Sequence, residues 1–181
     1  MKKYLPYINF ILILIIGGCA YLLYTKDRNT ISVVKSNAQR ERVLKGAAIV
    51  VDGDTIKING NRIRLLSIDT PETKQKCFDK NNKEYFCGKM ATNFLRKIAH
   101  GRVVSCFYKE RDVYNRYLGY CYLGDLFLNL EMVRNGMAVI YGYKKAGKEF
   151  VAARNEAKRS RLGIWQGSFE LPKVYRRRVR R

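Results

Sequence analysis

The sequence predicts an α+β, mainly β domain: a small five-stranded Greek-key barrel with inserted helices and a C-terminal helix, preceded by one N-terminal transmembrane segment. Three observations carry this. Short strand-like runs recur between turn signals, as in Thr55 to Ile58, Arg62 to Ile68, Arg102 to Glu110 and Tyr117 to Leu123. Stretches with apolar residues at helical spacing interrupt and follow them, Gly88 to Ala99 and Lys148 to Arg161. Residues 8–24 are apolar and uncharged over 17 positions, the low end of a bilayer span.

Residues 1–7 carry Lys2 and Lys3 ahead of that span, which reads as an uncleaved signal anchor. The competing reading makes Ile16-Gly17-Gly18-Cys19 a lipoprotein processing site, similar to the bacterial lipobox, with Cys19 lipidated. Against it, Ala20 to Tyr24 stays apolar where a lipoprotein turns polar. Residues 25–42 are polar and basic without period, a tether able to lie on anionic headgroups. A positive-inside count would place the folded domain in the cytoplasm. The cysteines favour an oxidising compartment, so the expected arrangement is a single-pass membrane protein with its domain on the periplasmic or extracellular side.

The folded part, residues 43–166, opens with a strand from Val43 to Val51 and reaches Asp52-Gly53-Asp54. Thr55 to Ile58 alternates as a strand, Asn59-Gly60-Asn61 turns the chain, and Arg62 to Ile68 returns to Asp69-Thr70-Pro71-Glu72, where proline ends the ladder. Three carboxylates and Arg64 thus gather at strand ends and in one loop. That set suits hydrolysis of a phosphodiester, an anion that yields only when its charge is neutralised, a water is positioned and a base takes the proton. Asp54 and Asp69, with the Thr70 carbonyl beside them, are hard oxygen donors of the kind Ca²⁺ prefers. Glu72 can serve as general base, and Arg64 can fork two N–H groups onto phosphate oxygens.

Composition agrees. The 181 residues allow one ordinary domain plus extensions, and 36 Lys and Arg against 15 Asp and Glu give a formal charge of +21, which calls for a polyanionic partner. One histidine, His100, excludes paired-histidine phosphodiesterases and histidine metal centres, and its place before Gly101 suits a helix C-terminus. The cysteines Cys19, Cys77, Cys87, Cys106 and Cys121 follow no zinc spacing. Cys106 and Cys121 lie on two strand-like runs nearly equidistant from the turn at Tyr114-Asn115, and Cys77 with Cys87 would close the charged loop from Lys74 to Tyr85. Two disulfides are expected, buried free thiols being the alternative.

Further on, Met90, Ala91, Phe94, Leu95 and Ile98 share one helical face. Asp125 to Phe127 reads as a short strand and Asn129 to Asn135 as a brief helix stopped by Gly136. The last helix carries Phe150, Ala153 and Ala157, with Trp165 as an anchor beyond its end. Residues 167–181 form a basic tail, arginine-rich from Lys173 and expected to be disordered.

Taken together, Asp52-Gly53-Asp54-Thr55, Arg64-Leu65, Ile68 to Thr73, Tyr114-Asn115-Arg116, Asn129, Val133 to Gly136 and Tyr141-Gly142-Tyr143 resemble a staphylococcal-nuclease-type thermonuclease, in a membrane-anchored bacterial form. The resemblance implies an OB-fold barrel and a Ca²⁺-dependent endonuclease that cuts DNA and RNA with little sequence preference and leaves 3′-phosphate ends. It assigns Asp54, Asp69 and Thr70 to the metal, and Arg64, Glu72 and Arg116 to catalysis. Tyr114, Tyr141 and Tyr143 go to substrate binding, stacking being tolerant of sequence. The family usually has glycine where Asn115 stands, and asparagine is the residue that best replaces it at positive φ. Val113 replaces a phosphate-contacting lysine. No protein partner is implied, and a monomer is expected. Two rival classes are a catalytically inactive nucleic-acid-binding OB module tethered to the membrane, against which the intact acids speak, and a basic surface-coating protein, which leaves the acids unexplained.

Overall fold

The computed structural model describes residues 42–142 and 147–180. The segment 8–24, Cys19, the tether before Arg42 and Tyr143 lie outside the described residues. Among the described residues no helix is long and apolar enough to cross a membrane.

Strand β1 (Arg42–Val50) is shared by two neighbours: its first part pairs antiparallel with β7 (Val103–Arg111) and its last three residues with β2 (Thr55–Ile58). β2 turns into β3 (Asn61–Leu65) through Asn59 and Gly60, both at positive φ (50° and 78°), as a tight hairpin whose twist matches the strands requires. β7 pairs in turn with β8 (Tyr117–Leu123). A parallel pairing of β3 with β8, Arg64 opposite Leu118, then closes the circuit. Five strands therefore make a closed barrel of OB-fold type. A two-residue strand β9 (Leu126–Phe127) extends the free edge of β8.

After β3, the short strand β4 (Ile68–Asp69) leaves the barrel to pair with β10 (Val139–Ile140). The charged loop from Lys74 to Tyr85 holds a small hairpin, β5 (Cys77–Phe78) with β6 (Glu84–Tyr85). Helix α1 (Cys87–Ala99) lays Ala91, Leu95 and Ala99 on the barrel, the first two from the apolar face read from spacing and Ala99 beyond it. It ends at His100, whose Nδ1 accepts the Val50 N–H at 3.2 Å, so the single histidine ties a helix end to β1. Helix α2 (Leu128–Arg134) buries Leu128, Met132 and Val133 and stops at Gly136, φ 66°. Helix α3 (Lys148–Arg159) adds Phe150, Ala153 and Ala157. These meet Ile56, Ile58, Ile63, Leu65 and Val104 from the strands, and burying each large aliphatic chain is worth about 1.5–3 kcal/mol.

One polar group is built into this core. Asn129, fully buried, donates to the carbonyls of Leu66 and Gly119 (2.9 and 3.0 Å) and accepts the Cys121 N–H at 2.9 Å. It locks the turn after β3 to β8. Both expected disulfides are present, Cys106–Cys121 across the β7–β8 register and Cys77–Cys87 closing the loop against the start of α1.

The tail departs from expectation. Instead of disorder, Pro172–Val179 form helix α4. Its approach is fixed before it begins, because Ser168 and Phe78 exchange two backbone hydrogen bonds (2.9 and 3.0 Å) and the Glu170 carbonyl accepts from Gln75 Nε2 at 2.7 Å. Pro172 at the first turn is pre-set for helix and buried. Repulsion among the arginines is relieved because Arg178 pairs with Glu170 and Arg176 with Asp69 and Glu72.

Candidate active site

The acidic loop owes its shape to local bonds. The Asp54 N–H donates to Asp52 Oδ1 at 3.0 Å, and the Val51 and Asp52 N–H groups both donate to the Thr55 carbonyl. Gly53 is required at its position: a Cβ there would come within 2.7 Å of Thr70 Oγ1, so only glycine lets this turn approach the Thr70 loop. Asp54, Asp69 and Thr70 are all buried. Arg64 on β3 reaches both acids, with Nη1 2.6 Å from Asp54 Oδ2 and Nη2 2.9 Å from Asp69 Oδ1. A single cation therefore already spans these two carboxylates.

Glu72 stands at the cleft wall, its side chain 42% exposed. Its backbone is held from two sides. The Glu72 N–H donates to Oε1 of the buried Gln75 at 3.2 Å, and Gly88 in the first turn of α1 lies directly against the Glu72 carbonyl. Arg116 sits after the β7–β8 turn, where Asn115 does take positive φ (61°). Its guanidinium is forked onto Asp112 Oδ2, Nε at 2.8 Å and Nη2 at 2.7 Å.

These groups open on one cleft of about 590 Å³ that contains Asp54, Arg64, Thr70, Glu72 and Arg116 in its lining. Tyr114 and Tyr141 stand in the same lining, 63% and 52% exposed and so available for stacking. Eight of the nine residues expected at the metal, catalytic and substrate positions are thus described. Seven of them line the cleft, while Asp69 lies behind it under Arg64. Val113 is exposed at the rim and contributes no charge.

The electrostatics are uneven. Burial pushes the Asp54 carboxyl up to about 7, with the charges of Asp52 and Asp69 adding and Arg64 and the Thr55 hydroxyl opposing. Burial works against Arg64 too, but Asp54 and Asp69 outweigh it and raise its pKa, so it stays charged. Burial also opposes ionisation of Asp112, yet the hydrogen bonds from Arg116 and the Tyr114 N–H hold its carboxyl below the usual range. Among the described residues no group of three or more His, Cys, Asp or Glu gathers as a ready metal cage. The protein offers two carboxylates and the Thr70 carbonyl, all hard oxygens. That fits Ca²⁺ held partly by protein and partly by water or substrate phosphate.

Two participants escape sequence reasoning. Gln75, fully buried, links the Glu72 backbone to Glu170; it reads in sequence as one polar residue of a charged loop. Arg176 of α4 donates from Nη1 to Asp69 Oδ1 (3.0 Å) and Glu72 Oε1 (2.8 Å) and from Nη2 to Asp69 Oδ2 (2.9 Å). In sequence it is one arginine among many in the tail.

A cleft that gathers buried acids, arginines and exposed tyrosines suits hydrolysis of a phosphodiester, the work of a nuclease. The chain belongs to the staphylococcal nuclease homologue family, whose sequence profile matches residues 62–167. It is 35% identical over 127 residues to the succinoglycan biosynthesis protein ExoI of Rhizobium meliloti (strain 1021), covering 69% of this chain and 66% of that protein. It is 34% identical over 128 residues to an uncharacterized endonuclease of Escherichia coli O157:H7, covering 68% and 77%. The thermonuclease of Staphylococcus intermedius is 34% identical over 126 residues, covering 65% and 73%.

Proposed function

We propose that this nuclease is a Ca²⁺-dependent endonuclease that cuts DNA and RNA with little sequence preference, leaves 3′-phosphate ends, and acts outside the cytoplasm from a membrane tether formed by residues 8–24. The observation that carries the catalytic reading is Arg64 bridging the buried Asp54 and Asp69 in the cleft that also holds Glu72 and Arg116. The two disulfides support an oxidising compartment. The apolar run of residues 8–24 supports the tether.

Asp54, Asp69 and the Thr70 carbonyl would hold a calcium ion, which supplies Lewis acidity at the scissile phosphate. Glu72 orients a water and accepts its proton as the water oxygen bonds to phosphorus. Arg64 and Arg116 fork onto the non-bridging oxygens and stabilise the charge that builds there. The bond to the 5′ oxygen breaks and that oxygen takes a proton from solvent, giving a 5′-hydroxyl and a 3′-phosphate. Tyr114, Tyr141 and Tyr143 bind the substrate by stacking on its bases, which asks nothing of their identity.

The test is digestion of single-stranded DNA, double-stranded DNA and RNA by the full chain in mild detergent, with Ca²⁺ and with chelator. Ca²⁺-dependent cutting of all three that falls by orders of magnitude in Glu72→Gln is expected. Binding without cutting in any metal would overturn the reading in favour of an inactive nucleic-acid-binding barrel.

A further inference from the structure

The Arg176 guanidinium occupies the place where a cation is needed. It grips both oxygens of Asp69 and one of Glu72, the acid assigned to the metal and the acid assigned to the water. This is no stray surface contact. Helix α4 is anchored through the same Gln75 amide that holds the Glu72 backbone, so the helix and the catalytic loop are positioned together. Arg180, one turn further on the same face, also lines the cleft.

Charge decides which group gives way to a metal ion. Arg64 and Arg176 converge on Asp69, and each also holds a second acid, Asp54 and Glu72 respectively. Asp69 Oδ1 already takes both Arg64 Nη2 (2.9 Å) and Arg176 Nη1 (3.0 Å), and each guanidinium feels the other's repulsion. Three of the roughly four acceptor sites of Asp69 are already taken, so a divalent ion arriving there competes with both guanidinium groups. Arg64 is the more enclosed, 16% exposed against 26% for Arg176, and is fixed within a barrel strand. Arg176 is therefore the group that leaves. Its charge, no longer answered by the carboxylates, then matches the added charge of one phosphodiester, and the fork that fitted a carboxylate fits a phosphate equally well.

We propose that Arg176 is a third phosphate-binding arginine of the nuclease reaction, which pairs with Asp69 and Glu72 until a divalent cation takes Asp69 and then turns onto the substrate. Helix α4 is accordingly a wall of the substrate cleft and contributes Arg180 beside it. The proposal rests on the assignment of Ca²⁺ to Asp54, Asp69 and Thr70, and its test separates the two.

Calorimetric titration of Ca²⁺ into the full chain without nucleic acid is compared for wild type, Arg176→Ala, Arg176→Lys and Arg177→Ala. Arg177 is exposed on the same helix and controls for net charge. Arg176→Ala is expected to bind Ca²⁺ roughly tenfold more tightly, as loss of a competing ion pair would produce, with Arg177→Ala near wild type. In cleavage assays at saturating Ca²⁺, Arg176→Ala should raise KM about tenfold with kcat changed less, and Arg176→Lys should recover only part of it. Equal Ca²⁺ affinity in wild type and Arg176→Ala overturns the proposal while leaving the metal assignment intact. Tighter Ca²⁺ binding with unchanged KM also overturns it, since Arg176 would then only block the site. Absence of Ca²⁺ binding in every variant removes the metal assignment and this inference with it.

Discussion

Gly88 and the Glu72 carbonyl are in such close contact that a Cβ built on Gly88 would lie 1.7 Å from the Glu72 oxygen. The start of α1 is therefore the floor on which Glu72 stands, and the Cys77–Cys87 bridge immediately before Gly88 holds that floor to the loop. The expected water-activating group is placed less by its own motif than by a helix more than a dozen residues later.

Gly88→Ala should push the Glu72 loop away. The side chain meets backbone, which cannot swing aside, so the fold should lose about 1–3 kcal/mol. Turnover should fall at least tenfold in the molecules that remain folded. Thermal unfolding and single-turnover cleavage check both, and an unchanged kcat would show that Glu72 tolerates displacement.

Under the proposed mechanism Arg116→Ala should lower kcat by about 10²–10³, since Arg116 is there a donor to the developing charge. The fold should shift by about 1–2 kcal/mol, the lost partners being the half-buried Asp112 carboxylate and the Tyr114 ring. Arg116→Lys should not restore the rate, since an ammonium cannot reproduce the fork. Circular dichroism with steady-state kinetics distinguishes this from unfolding.

Asp54 makes the metal-free protein sensitive to pH. Its folded pKa, near 7, is above the ordinary carboxylate value, so between about pH 4 and 7 the native state holds a proton the unfolded chain has released. Stability from this group is therefore full at low pH and is lost as pH rises to 7, at up to about 1.4 kcal/mol per pH unit. In chelator, Asp54→Asn should melt higher than wild type at pH 8 and about equally at pH 4, while losing Ca²⁺ binding. Equal melting at pH 8 would contradict a buried acid that seeks a cation.

The two disulfides should fail differently. Closing loops with sequence separations of 15 and 10, each is worth about 3 kcal/mol by chain entropy. Replacing Cys106 and Cys121 by alanine should lower stability with activity per folded molecule retained, as that bridge crosses β7 and β8 away from the cleft. Replacing Cys77 and Cys87 should lower turnover as well, because their bridge braces the loop under Glu72. Denaturant unfolding and kcat measured on the same preparations separate the cases.

Much of the molecule is legible without coordinates because its determinants are local. Alternation marks β2, Asn59-Gly60 names its own turn, Asn115 suits positive φ, and the position of Cys106 and Cys121 about one hairpin turn implies their contact. Asp54, Arg64, Asp69, Thr70 and Glu72 fall within one hairpin and its exit, so a short window carries most of the site. Tertiary structure decided the rest. The parallel β3–β8 pairing that closes the barrel, the three-way hold of Asn129, the Gln75 link to Glu170 and the Arg176 fork join residues far apart in the chain, and no local period records such pairings. The tail misleads for the same reason: by composition it is a run of repelling charges, and it becomes a helix because the carboxylates that neutralise it, Asp69 and Glu72, stand about a hundred residues earlier.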